Sequence, residues 1–283
     1  MESAMVRTGV SWRSQWWTHG VLSILGFVTL YPIIFMVFNA LKNGIETAAS
    51  PFSFPIHPHW NNFVLAFQAI LPAFWQSIIV VIVSVSFMLV FSLLSAYAFA
   101  WLQFPGRELL FYVVFALLLI PGILTLIPLF IEDKNFGLLR TPWGLIFPYI
   151  AGGQAFCIFV LRAFVRNLQE DLFGAARIDG AGDIRIFSLI VAPLCVPILI
   201  TLGLLNVVGI WGDYVFPQLV LGTQHETVAV AITNFIPPPI APSLDAFNLQ
   251  LAAFTLSAIP IALLFFLLMR YFIQGITDGG IKM

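Results

Sequence analysis

Charged side chains are scarce in this sequence: they make up 9% of 283 residues against 60% hydrophobic ones, and the formal net charge is only −1. So little charge excludes a water-soluble globular domain, in which about a quarter of the residues are charged. So small a net charge gives no footing for nucleic acid. Cysteine is almost missing, with Cys157 and Cys195 the only two. Both fall inside long apolar runs, away from any oxidising compartment or metal-binding loop, and read as packing residues. Histidine is sparse too, at His19, His57, His59 and His225. The close pair His57 and His59 has no carboxylate or thiol beside it, so no metal site is expected. The three lysines, Lys42, Lys134 and Lys282, never follow a Gly-rich turn. A phosphate-binding loop of the Gly-x-x-x-x-Gly-Lys-Ser/Thr kind is therefore missing, and the chain has no means of hydrolysing ATP by itself. The apolar runs hold no Asp pair or Ser-His arrangement, which argues against an intramembrane enzyme; no catalytic residue is named.

What is present is long apolar sequence. Mean hydropathy is +1.00, and six charge-free runs lie at about 18–41, 76–103, 109–131, 141–161, 187–211 and 249–269. A helix needs about 20 apolar residues to cross a bilayer core. Blocks such as Ile78 to Val83 and Ala262 to Met269 are apolar on every face, whereas a barrel strand alternates. An all-α membrane protein with six crossings is expected, as one domain over 18–283 behind an N-terminal flank of 1–17. Arg7 and Arg13 precede the first run, but it is longer than a signal-peptide core and no small-x-small pattern follows Phe38.

With six crossings both termini share a side. That side carries nine Lys and Arg residues, and the other carries only Lys42, Lys134 and Arg140. The bias puts both termini in the cytoplasm. Two longer, proline-bearing connections then face outward, from Lys42 to about Trp75 and from Gly212 to about Asn248. Pro121, Pro148, Pro193, Pro197 and Pro260, with Gly152-Gly153, mark hinge positions in crossings three to six.

A gradient-driven carrier or channel is the alternative reading, and the lack of ionisable residues in the middle of the runs argues against it. Gln154 and Asn206 are the polar residues most clearly inside; each could line a translocation path or bond to a neighbouring helix. Trp211, Asp213 and Tyr214 mark the outer end of the fifth run, and Trp143 and Tyr149 lie around the outer end of the fourth. Aromatic faces with a carboxylate suit sugar rings, and aromatic residues also populate membrane interfaces.

The most distinctive segment lies between the fourth and fifth runs. Leu168, Leu172 and Ala176 fall on one helical face, with Glu170 and Asp171 in the first turn, so a short amphipathic helix is expected. Asp179-Gly180 then supplies a turn, and a second helical stretch starts near Asp183. Ala175, Ala176, Gly180 and Ala181 have so little bulk that another protein's backbone could pack against this knuckle, with Arg177 and Arg185 free to pair with acidic groups. An interfacial helix resting on lipid is the other reading.

These residues resemble the EAA loop of ABC importer permeases. Ala175-Ala176, Asp179-Gly180-Ala181 and Ile190 with Pro193 follow its pattern, while Gly174 stands where the motif has Glu and Ala192 where it has Leu. Further segments are similar to the smaller permease of the maltose-type carbohydrate-uptake branch: Ser95 to Ala100 with Phe104-Pro105-Gly106-Arg107, Ile120-Pro121-Gly122, Gly137-Leu138-Leu139, Trp211-Gly212-Asp213-Tyr214, and Gly275 to Lys282. The resemblance implies a type I importer permease fold, with a coupling loop over about 166–186 seated in a cleft of an ATP-binding subunit. Gly174, Ala175, Ala176, Arg177, Asp179, Gly180 and Ala181 are its coupling positions. It also implies a homologous second permease in a heterodimer, two ATP-binding subunits that hold ATP and Mg²⁺, an extracytoplasmic solute-binding protein, and a bacterial inner-membrane location. No cofactor is implied in this chain. Carbohydrate uptake by alternating access is the function that follows.

Overall fold

The computed structural model describes residues 12–222, 225–241 and 243–280, among which there is no strand. Its helices are α1 Trp12–Ala40, α2 Gly44–Ala49, α3 Asn61–Trp101, α4 Arg107–Ala116, α5 Gly122–Asn135, α6 Trp143–Arg166, α7 Glu170–Ile178, α8 Asp183–Ile186, α9 Ala192–Leu194, α10 Val196–Gly212, α11 Val215–Leu221, α12 Val228–Thr233 and α13 Ala246–Gly280. Four stretches are each long and apolar enough to cross a membrane: Trp16–Ala40 of α1, the whole of α3 and of α6, and Ala246–Arg270 of α13. Two bent pairs supply two more if each is one span. Arg107–Leu119 and Gly122–Asn135 meet at 101°, and Asp183–Leu194 and Val196–Gly212 at 68°. The six apolar runs of the sequence correspond to these six stretches.

One boundary differs from the sequence reading. Helix α3 starts at Asn61, so the second half of the expected connection from Lys42 to Trp75 is helical. The prolines that marked the connection, Pro51, Pro55 and Pro58, all precede this helix. Its 41 residues reach roughly 60 Å, about twice a bilayer core. The prolines also divide into two kinds. Pro121 caps α5 after an extended Ile120, and Pro193 and Pro197 flank the bend at Cys195. Pro148 and Pro260 sit inside continuous helices.

The described chain falls into two units, Met1–Gln68 with Pro237–Leu256 and Ala69–Ile236 with Ser257–Met283. In the first unit, polar side chains satisfy helix ends. Buried Lys42 donates through Nζ to the carbonyl of Ser50, the C-cap of α2, as a cation at a helix C-terminus should. Asn62 donates to the carbonyls of Ala40 and Lys42 at the end of α1. Asn43 caps α2 by accepting from the amide of Glu46 at 2.8 Å.

In the second unit the core joins three helices. Val81, Val85 and Met88 of α3 meet Cys157 and Leu161 of α6 and Leu202 of α10. Gly153 lets α6 approach α3 closely, because a Cβ there would run into the thioether of Met88. Such small-residue contacts suit lipid, where helices gain nothing from water exclusion and associate through packing and hydrogen bonds.

Candidate functional site

Helix α7 follows from its charges and its ending. Glu170 and Asp171 occupy the first turn and Arg177 the last, each complementing the helix dipole. The helix closes on Gly180 at φ +78°, a conformation that costs side-chain-bearing residues about 1 kcal/mol or more. The amide of Ala181 donates to Ala176 at 2.9 Å and that of Gly180 to Arg177 at 3.1 Å. These two bonds form a Schellman ending, which satisfies carbonyls that would otherwise be orphaned. Gly182 then stays extended, and α8 starts at Asp183. The knuckle is therefore a rigid helix-turn-helix.

Its inward face differs in part from the expected one. Leu168, just ahead of the helix, and Ala176 pack on the core, but Leu172 is 41% exposed. Phe173, at 3% exposure, is the anchor: its ring stacks on Trp101 with centroids 3.7 Å apart and an interplanar angle of 18°. An aromatic neighbour one turn from Ala176 was the available signal, but its partner lies 72 positions earlier in the chain. Ala176, Ala181 and Ile186 pack on the same core.

The outward face carries Gly174, Ala175, Arg177, Asp179 and Gly180, as small and polar as the sequence suggested. It also carries two side chains the sequence reading passed over. Ile178 and Ile184 are 89% and 86% exposed, one on each side of the turn. Between the arms a dent of about 200 Å³ is lined by Ala176, Asp179, Ala181, Arg185 and Ile186, among others. Arg177 stands 3.7 Å from Asp183 in an exposed pair, a contact worth at most about 1 kcal/mol and easily exchanged. Arg185 has no ion pair among the described residues.

The polar candidates within the bundle bond to neighbouring helices. Gln154 accepts from Ser92 of α3 at 2.9 Å and donates to the carbonyl of Met88. It also lines a cavity of about 650 Å³ with Phe87, Phe91, Ser95, Trp143 and Phe147. Asn206 donates to Leu202 and to the sulfur of Cys157. Asp213 accepts from the Tyr149 hydroxyl at 2.8 Å and from the amide of Val215 at 3.1 Å, fixing the elbow between α10 and α11 to α6. Trp211 donates to the carbonyl of Ser257 and lines a separate cavity of about 280 Å³. Tyr214 is half-buried and leads into α11. These residues thus form no single cluster.

A charged cluster near the loop end of α6 escaped the sequence reading, which counted Arg162 only toward the side bias. Arg162 is 4% exposed. Its guanidinium bonds both carboxylate oxygens of Glu108 at 2.6 Å, donates to Phe99, and lies 3.6 Å over the ring of Phe111. Arg166 and Arg107 also pair with Glu108.

Apolar helices of membrane-crossing length define a multi-pass membrane protein. The chain belongs to the family described as binding-protein-dependent transport system inner membrane component, whose profile matches residues 21–278. It is 30% identical over 267 residues to the diacetylchitobiose uptake system permease protein NgcG of Streptomyces coelicolor, covering 94% of this chain and 88% of that one. It is also 30% identical over 272 residues to the maltodextrin transport system permease protein MdxG of Bacillus subtilis, covering 94% and 95%. Its fold is that of a chain in the crystal structure of a bacterial ABC transporter involved in import of the acidic polysaccharide alginate. The TM-score is 0.80 at 21% identity, over 96% of this chain and 100% of that chain.

Proposed function

We propose that this chain is a permease subunit of an ATP-driven importer of oligosaccharides or related sugars, working by alternating access. It pairs with a homologous second permease above two ATP-binding subunits, which hold ATP and Mg²⁺, and receives substrate from an extracytoplasmic binding protein. The diacetylchitobiose and maltodextrin uptake systems named for its relatives support the substrate class.

The observation that carries the reading is the knuckle. Ile178 and Ile184 stand almost wholly in water on either side of a turn fixed at Gly180, while Phe173 holds the opposite face. Large apolar side chains held out on a rigid turn are docking anchors. Gly174, Ala175 and Gly180 allow close backbone approach, and Arg177 and Asp179 offer polar contacts. The excess of Lys and Arg on this side fits a cytoplasmic ATPase. Closure of the ATPase pulls the knuckle and rocks the helices, so that the cavity opens outward. Gln154 faces a cavity of about 650 Å³ and is the path candidate; Trp211 lines a smaller cavity while bonded to Ser257, and Asn206 and Asp213 act as struts between helices.

The test is co-purification of the chain with its tagged ATP-binding subunit, alongside uptake of labelled maltodextrin and diacetylchitobiose. Ile178→Asp and Gly180→Trp each lower recovery of the complex by about tenfold or more, as loss of a buried anchor does, and uptake falls with it. A complex untouched by both substitutions overturns the docking assignment. Uptake driven by an ion gradient without any ATPase would favour a secondary carrier instead.

A further inference from the structure

The knuckle is covalently continuous with α10 but poorly built to push it. Between them lie a five-residue π-helical stretch, Phe187–Val191, and the 68° bend at Cys195. The path along the chain is therefore not one straight helix.

A second route does not follow the chain. Trp101, the last residue of α3, stacks face to face on Phe173 of α7 and donates its indole N–H to the carbonyl of Val165 in the last turn of α6, at 3.3 Å. Tyr97 lies one turn earlier on the same face of α3. Its hydroxyl donates to the carbonyl of Asp183 at 3.4 Å, and its ring packs against Phe187 with centroids 5.5 Å apart. One face of α3 therefore holds the knuckle both before and after its turn. Helix α3 then runs unbroken past Met88 and Ser92, which bond to Gln154 of α6.

We propose that Trp101, seconded by Tyr97, is the positioning residue that carries displacement of the knuckle into α3, so that α3 and α6 move together when the ATPase closes. This rests on the permease reading above. Trp101 is half-buried against Phe173 and acts through it.

The test uses the full complex, with both permeases, the ATPase and the binding protein, in proteoliposomes. Trp101→Leu keeps apolar bulk and removes the ring, whereas Trp101→Phe keeps a ring; both lose the indole N–H. The expected result is that Trp101→Leu assembles normally and hydrolyses ATP at the basal rate, but sugar moved per ATP falls by about tenfold, the scale of an ordinary site-to-site coupling. Trp101→Phe restores most of that ratio, and Tyr97→Phe lowers it less than Trp101→Leu does. An unchanged ratio in Trp101→Leu overturns the proposal, as does an equal loss in the Leu and Phe variants. Failure of the unaltered chain to bring down any ATPase overturns the permease reading itself, a result separate from either of these.

Discussion

Arg162 and Glu108 are unequal partners. The guanidinium is almost fully buried, whereas the carboxylate is 46% exposed and has Arg166 and Arg107 as further partners. Removing the acid strands a buried cation with one carbonyl and the face of Phe111; removing Arg162 leaves a half-solvated carboxylate still paired. Glu108→Gln is therefore expected to lower stability more than loss of the arginine does, because it leaves the buried cation without its carboxylate. Arg162→Met, which fills the site with apolar volume, costs about 1 kcal/mol. Thermal unfolding of the two variants in detergent checks the order, and a larger loss for Arg162→Met would show that Glu108 is the dependent partner. The sequence displays Arg162 and Arg166 one turn apart at the end of an apolar run. Nothing local reveals that their counter-charge is 54 and 58 positions earlier, because that pairing is made by tertiary contact alone.

Helix α7 offers two glycines with opposite requirements. Gly174 lies mid-helix with open space where a Cβ would go, while Gly180 is held at φ +78°. Gly174→Ala is expected to stabilise the helix by about 0.5–1 kcal/mol, and Gly180→Ala to destabilise the knuckle by about 1 kcal/mol or more. Hydrogen exchange of the α7 amides in the purified chain reads both signs; slower exchange in Gly180→Ala would mean that the turn is not strained. At this scale much was legible in the sequence. Asp179-Gly180 announced the turn, and the dipole-complementing charges announced α7. The inward face was legible in part: spacing selected Leu168 and Ala176, which pack on the core, but also the exposed Leu172, and it passed over Phe173, for which Trp101 provides a flat partner. The prolines were legible in part: breaks occur where a second breaker sits nearby, as Gly122 does for Pro121 and Pro197 for Pro193. Lone prolines at positions 32, 72, 128, 148 and 260 remain inside helices.

Over the whole molecule, composition fixed the solvent before any element was assigned. Helix α1 makes the point, since none of its most apolar window is buried within the chain, and lipid or a partner helix must cover it. What composition leaves open is orientation, which rests on nine Lys and Arg residues against three. Cysteine labelling decides it, because Cys157 and Cys195 have no exposure and stay silent toward a membrane-impermeant maleimide. In spheroplasts, Phe136→Cys, at a position 73% exposed between α5 and α6, is expected to label directly. Ile178→Cys is expected to label only after the membrane is opened. The reverse pattern would put the knuckle outside the cell, where no ATP-binding subunit could reach it, and the docking role of Ile178 and Ile184 would fall with it.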